Sequence, residues 1–352
     1  MNTVHKIPIL NLYYLLLYAW NRLEEAGQVD VSPEDATSLL NLFSRVLISG
    51  SRYLLKRGLD RGYIDHSEDI RGLKGKIDFS ATIKRQLQNN AMLRCSFDEL
   101  SYNVLHNRIL RTTIRNLVVR DDIDKRYRSD LADIHRRLDS INEIDLSGSV
   151  FKRVQLHRNN AFYGFLMDIC ELIYNYYVVT EDLGDRKFRE FIRDEKTMSK
   201  LFEEFVRNFY KIELKSISGY SVKNTGEQIN WDVKDPNEPD TYYLPRMVTD
   251  ISIRTPYGYL IIDTKYYKEA MKGRWEDKIY SPNLYQIFAY VKNIQNKGPH
   301  YENCSGILLY PTVQADYEFS YIIQGHAIAV KTIDLAKPWQ EIEKKLLSIV
   351  NT

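Results

Sequence analysis

The sequence lacks the features that would place it in several large protein classes. It has three cysteines in 352 residues, Cys95, Cys170 and Cys304. They are odd in number and far apart, which excludes a disulfide framework and a Cys-x-x-Cys zinc site and fits a reducing cytosol. No apolar run reaches the roughly 20 residues that a membrane helix needs. The longest, over residues 9–20, contains Asn11 and reads as a core helix. Residues 21–25 follow it where a small-residue cleavage site would stand, so no export is expected and the cytoplasm is the expected compartment. Charge of one sign is missing as well: 49 Lys and Arg against 47 Asp and Glu leave +2, so no field of the whole chain demands a nucleic acid or a membrane. There is no G-x-x-x-x-G-K-[ST] loop, since residues 72–76 have the wrong spacing, and no G-x-G-x-x-G. The chain is therefore not expected to hydrolyse nucleotide by itself. Its seven histidines lie too far apart for an H-E-x-x-H site, and no serine or cysteine sits in a nucleophile elbow. Fixed-period repeats and low-complexity tracts are also missing.

What remains is an ordinary globular composition, 44% hydrophobic and 27% charged, in a chain long enough for two domains. Apolar spacing predicts helices over 11–26, 33–56, 98–119, 125–141 and 161–179, with a small β element around Gly72 and Gly75. The charged stretch 181–196 marks a boundary near residue 190. Beyond it the pattern changes: a helix over 198–210, strands over 247–254 and 259–267, a helix over 283–293, a strand over 306–310 and a closing helix over 339–350. The expected architecture is α/β, a mainly helical α+β domain over 1–190 followed by a domain with a central mixed sheet flanked by helices over 191–352.

The chemistry concentrates in the second part. Pro256 and Gly258 read as a tight turn between the two strands. A symmetric hairpin centred between Pro256 and Tyr257 sets Asp250 opposite Asp263, with Lys265 on the face of Asp263. A glycine bulge at Gly258 would slip the register by one. Opposed carboxylates repel unless a cation or a proton sits between them, and an oxygen-only pair suits Mg²⁺, with Mn²⁺ as an alternative and Zn²⁺ a poor match. Taken alone, Asp-x-Lys also suits a solvated strand face. The preceding Leu260-Ile261-Ile262, however, places Asp263 on a strand that reads as buried, where a carboxylate is expensive. Glu203 lies at the margin of the apolar face formed by Met198, Leu201, Phe202, Phe205 and Phe209, either a further metal ligand or part of a solvated face. Gln286 and Tyr290 stand four apart and share a helix face. They are candidates to touch DNA or the scissile phosphate, with core packing an equal reading for Tyr290.

Glu203, Asp250, Asp263-Thr264-Lys265 and Gln286-x-x-x-Tyr290, in this order, resemble the PD-(D/E)xK nuclease superfamily in its QxxxY variety. More closely, Leu244-Pro245-Arg246-Met247-x-Thr249-Asp250-Ile251, Asp263-x-Lys265-Tyr266-Tyr267-Lys268 and Asn283-Leu284-Tyr285-Gln286 resemble the McrC family, the nuclease subunits of McrBC modification-dependent restriction systems. So do Ile7-Pro8-x-x-Asn11-Leu12-Tyr13-Tyr14, Tyr18-Ala19-Trp20, Gly72-Leu73-Lys74-Gly75, Phe97-Asp98-Glu99-Leu100 and Asn107-Arg108-Ile109, so that the likeness covers most of the chain. The resemblance implies a PD-(D/E)xK endonuclease domain, with Asp250 and Asp263 as metal ligands, Lys265 as the catalytic lysine and the backbone carbonyl of Thr264 completing the metal shell. Thr249 departs from the pattern, which has proline before the first aspartate, and the glutamate position is poorly fixed in such chains.

The same resemblance implies partners: an McrB-like AAA+ GTPase ring, on which the amino-terminal domain docks and whose GTPase it stimulates, and double-stranded DNA containing modified cytosine. Arg108, Arg111 and Arg115 form a basic stripe that could meet the ring or simply face solvent. Two other readings stand beside the nuclease subunit: a non-catalytic adaptor that activates a ring NTPase, and a stand-alone QxxxY repair nuclease.

Overall fold

The computed structural model describes residues 7–27, 38–157, 160–175, 195–235, 239–266, 279–312 and 316–351. The chain forms two compact units, Glu24–Gly184 and a second built from Met1–Leu23 with Asp185–Thr352. The proposed boundary near 190 and the charged stretch before it fall largely outside the described residues.

In the Glu24–Gly184 unit, helices Leu39–Arg57, Leu105–Val118, Lys125–Arg137 and Ala161–Ile173 bury their apolar faces. Ser38 caps the first by accepting a hydrogen bond from the Asn41 amide at 3.1 Å. A three-stranded antiparallel sheet joins them: β1 (Gly62–Ile70), β2 (Lys76–Ile77) and β3 (Leu93–Ser101), in the order β1-β3-β2. The expected helix over 98–119 is thereby corrected. Leu93, Cys95 and Phe97 alternate with polar residues, a period of two, so the chain runs as β3 to Ser101 and the helix starts at Leu105. Asn107 secures this junction, its Nδ2 donating to the carbonyls of Tyr102 at 2.7 Å and Asp60 at 3.0 Å. The basic stripe has internal work. Arg111 donates to the carbonyls of Asp139 and Ile141, and Arg111 and Arg115 both pair with Glu143.

The other unit is organised by a six-stranded sheet with the order β10-β11-β9-β8-β7-β4. Its strands are β4 (Ser221–Val222), β7 (Ile251–Thr255), β8 (Gly258–Thr264), β9 (Cys304–Thr312), β10 (Glu318–Ile323) and β11 (His326–Asp334), while β5 (Gln228–Ile229) and β6 (Met247–Val248) pair separately. β8 is antiparallel to β7 and parallel to β9. Lying between neighbours, it is buried along nearly its whole length, as a central strand with a continuous apolar run should be. Helix Ser281–Ile294 covers one face, packing Ile287, Tyr290, Val291 and Ile294 against Ile261, Leu308, Tyr310 and Val330. Gly306 permits this approach, since a Cβ there would lie 2.7 Å from Ile287 Cγ1 and 2.9 Å from Val291 Cγ2.

The division of the chain at residue 190 is corrected at its start. Helix Ile9–Ala19 belongs with this second unit, although it is separated from it in sequence by the whole of the first. It is apolar nearly all round, which a helix can be only when buried on most sides. Its ties are specific. Asn11 Nδ2 donates to the carbonyls of Leu335 at 2.9 Å and Lys337 at 2.7 Å. Tyr14 stacks on Trp339 with centroids 4.7 Å apart, and Tyr18 donates its hydroxyl to Glu213 at 2.8 Å. The expected single helix over 11–26 also breaks. Asn21 adopts the left-handed conformation with φ 56°, and the Arg22 amide reaches back to the Leu17 carbonyl at 2.8 Å. Replacing Asn11 by alanine strands two carbonyls, and urea melting should show a loss of about 1–3 kcal/mol.

Candidate active site

The hairpin of β7 and β8 has the symmetric register, from Ile251 opposite Ile262 to Thr255 opposite Gly258. The one-residue slip of a glycine bulge does not occur. Gly258 is nonetheless required at the turn, with φ 147° and the Asn303 carbonyl oxygen 2.7 Å from where a Cβ would stand. Asp250 lies one residue before β7, across from Asp263 near the end of β8. Its Oδ2 accepts from the Thr264 amide at 2.7 Å and from Thr264 Oγ1 at 2.9 Å. Thr249, standing where the superfamily pattern has proline, substitutes hydrogen bonds for a rigid ring. Its amide donates to the Glu227 carbonyl at 3.0 Å, while its hydroxyl accepts from the Glu227 amide at 3.0 Å and lies 2.9 Å from Ser252 Oγ.

Asp263 is fully buried, and its Oδ1 has no hydrogen-bond partner among the described residues. Lys265 Nζ lies 2.7 Å from Asp263 Oδ2, a close ion pair that favours the ionised carboxylate. Burial and then the Asp250 charge push the Asp263 carboxyl up to about 7, against the pull of Lys265. From Lys265 a chain of contacts runs into helix Ser281–Ile294: Nζ donates to Gln286 Oε1 at 2.9 Å, and Gln286 Nε2 donates to the Tyr290 hydroxyl at 2.7 Å. Tyr290 is buried, and burial raises its phenol above the ordinary range. Asn283, on the same helix, holds the helix to the sheet by donating to the Tyr310 hydroxyl at 2.9 Å.

Glu203 sits on helix Glu195–Glu213, whose Phe202, Phe205 and Phe209 are fully buried. Its carboxyl is raised by burial and by the Asp250 charge, which places it in the same electrostatic field, but the carboxylate itself is engaged by Arg207. The structure thus brings Asp250, Asp263, Thr264, Lys265, Gln286 and Tyr290 into one connected set, with Glu203 at its edge through Arg207. Tyr267 and Lys268 of the motif lie outside the described residues. Arg207 and Ser252 were missed from sequence, although the Glu203-x-x-x-Arg207 spacing signals an ion pair on one helix face.

Among the described residues no group of three or more His, Cys, Asp or Glu side chains is arranged to hold a metal ion. The residues present nonetheless fit Mg²⁺, which takes one or two carboxylates and fills the rest of its shell with water and phosphate oxygens. Asp263 Oδ1, without a partner among the described residues and beside a second carboxylate, is what such an ion would satisfy.

Fold and site together define a mixed α/β protein with an Asp pair and a lysine gathered at the end of a hairpin. The profile described as McrBC 5-methylcytosine restriction system component matches residues 10–311, and the chain belongs to that family. A protein of Escherichia coli (strain K12), described as type IV methyl-directed restriction enzyme EcoKMcrBC, is 33% identical over 344 residues, covering 97% of each chain. A structure from Thermococcus gammatolerans, the refined half-complex of a tetradecameric assembly of McrB AAA+ hexamers with bound McrC, matches with a TM-score of 0.57 at 16% identity. The match covers 98% of this chain and 76% of that one, a likeness of fold. No helix among the described residues is long and apolar enough to cross a membrane.

A carboxyl whose folded pKa is raised favours folding while it is protonated, so stability is lost as pH rises from 3.8 towards about 7. In the presence of a chelator, Asp263→Asn should therefore be more stable than wild type at pH 8. The gap should widen between pH 5 and 7 and stay level above, read as melting temperatures of the two proteins across that range.

Proposed function

We propose that this chain is the nuclease subunit of a modification-dependent restriction complex, hydrolysing phosphodiester bonds of double-stranded DNA that contains modified cytosine. The observation that carries the reading is Asp263, a buried carboxylate whose Oδ1 has no hydrogen-bond partner among the described residues, facing Asp250 and paired with Lys265. The helix, hairpin, helix and strand around it agree with a PD-(D/E)xK core. An adaptor that kept this domain only as scaffold would retain a costly buried carboxylate for nothing.

Asp250 and Asp263 would hold Mg²⁺, or Mn²⁺, which supplies Lewis-acid stabilisation to the phosphodiester under attack by water. The protein's own groups do the rest. Thr264 fixes the Asp250 carboxylate by two hydrogen bonds to Oδ2, which hold it in a constant orientation. Gln286 uses both ends of its amide, accepting from Lys265 and donating to Tyr290, which aims the ammonium at the position where negative charge develops. The ammonium also offsets the charge of Asp263 before DNA arrives.

The Glu24–Gly184 unit is assigned to docking on an McrB-like AAA+ GTPase ring, whose nucleotide turnover it stimulates. Support comes from the fold shared with the McrB-bound McrC structure over 98% of this chain, and from the missing phosphate loop.

The test mixes the chain with its ring partner, GTP and Mg²⁺ and scores cleavage of methylated against unmethylated plasmid. Asp263→Ala and Lys265→Ala should each lower cleavage on the order of 10²-fold or more, with ring assembly and GTP hydrolysis preserved. Wild-type cleavage by either variant removes the assignment. After chelation, Mg²⁺ or Mn²⁺ should restore cleavage and Zn²⁺ should not. Partner hydrolysis is followed in parallel, because the partner needs Mg²⁺ too.

A further inference from the structure

Asp250 stands outside the strand ladder, whose last pair is Ile251 with Ile262. A carboxylate at such a position keeps its place only if both its main chain and its side chain are tied. Thr264 ties the side chain. The main chain is tied from another element, since Arg207 Nε donates to the Asp250 carbonyl oxygen at 3.0 Å. The same guanidinium donates through Nη2 to Glu203 Oε1, one helical turn back.

We infer that Arg207 is a positioning residue of the nuclease centre, one guanidinium that fixes Asp250 through its backbone and holds Glu203 beside it. The inference rests on the reading of Asp250 and Asp263 as the cleavage site. Three features make arginine suitable here. Its side chain is only 16% exposed, so its hydrogen bonds are little diluted by water. Its planar fork serves two acceptors at once in fixed geometry, which an ammonium on a flexible stem does poorly. Its helix is locked by the fully buried Phe202, Phe205 and Phe209, so the fork is presented at a fixed place. The guanidinium also neutralises Glu203, which would otherwise confront two further carboxylates as a third like charge.

Positioning and simple charge balance predict opposite signs. If Arg207 acted only by its charge, removing it would make the site more negative and tighten its hold on a divalent cation. If it places Asp250, removing it weakens that hold. The experiment uses the full chain with Arg207→Gln and Arg207→Lys. Mn²⁺ binding is measured without DNA by the spin-resonance signal of the free ion, alongside plasmid cleavage with the ring partner and thermal melting. Arg207→Gln should bind Mn²⁺ about 10–100-fold more weakly and lose cleavage by a similar factor. Arg207→Lys, which keeps the charge and loses the fork, should remain nearer to Arg207→Gln than to wild type in both. Both variants should melt within a few degrees of wild type. Unchanged or tighter Mn²⁺ binding in both variants overturns the inference. So does an Arg207→Gln chain that fails to melt cooperatively while Arg207→Lys binds and cleaves as wild type, since any cation would then serve. Asp250→Asn runs alongside: if it binds Mn²⁺ and cleaves normally, the reading of the site itself has failed, whereas a dead Asp250→Asn with unaffected Arg207 variants removes only this inference.

Discussion

The active-site region is arranged around the cost of placing a carboxylate at Asp263, inside a sheet and opposite a second carboxylate. A buried anion short of donors is among the least favourable arrangements a fold can contain. Here the surroundings stop short of relieving it. Lys265 meets Asp263 Oδ2 from one side, and Thr264 spends its donors on Asp250. The neighbourhood is instead stiffened. β8 lies between two partners, the closing helix Trp339–Val350 and helix Glu195–Glu213 meet through Tyr210, whose hydroxyl donates to the Leu346 carbonyl at 2.9 Å, and Gly306 lets the helix with Gln286 press on the sheet. Strain at this carboxylate is held by the stiffness of its surroundings, not relieved by them.

Rigidity around the tension comes from small polar residues. Thr249 takes three hydrogen-bonding relationships where a proline would have offered a fixed φ, and it thereby joins the stretch carrying Asp250 to the segment around Glu227. Glu227 in turn accepts from the Tyr259 hydroxyl and from Lys297 at 3.0 Å, so the start of β8 and the turn that follows the helix with Gln286 share one anchor. A loss of the ring's stiffness is thus offset by connectivity.

Legibility followed range. The hairpin could be read because its information is local: Pro256 and Gly258 set the turn, the turn sets the register, and the register brings Asp250 to Asp263. The Lys265–Gln286 contact was accessible only through resemblance, since nothing in the spacing of 265 and 286 says that a helix will cross that strand. β3 was misread because its alternation of Leu93, Cys95 and Phe97 runs straight into a strongly helical stretch. Arg207 escaped notice because half of its role is directed at a backbone carbonyl, which has no letter in the sequence. The placement of helix Ile9–Ala19 was invisible for a related reason: a hydrophobic helix states that it must be buried, never against what.

That helix has a consequence in time. Asn11 finds its acceptor 324 residues further along the chain, and at translation rates of about 5–20 residues per second the wait is roughly 15–65 s. The unit between them, Glu24–Gly184, is complete long before. During synthesis the chain therefore presents a finished first unit while the carboxylates of the second have no assembled neighbourhood. Helix Ile9–Ala19 finds its place only after the segment carrying Trp339 has left the ribosome.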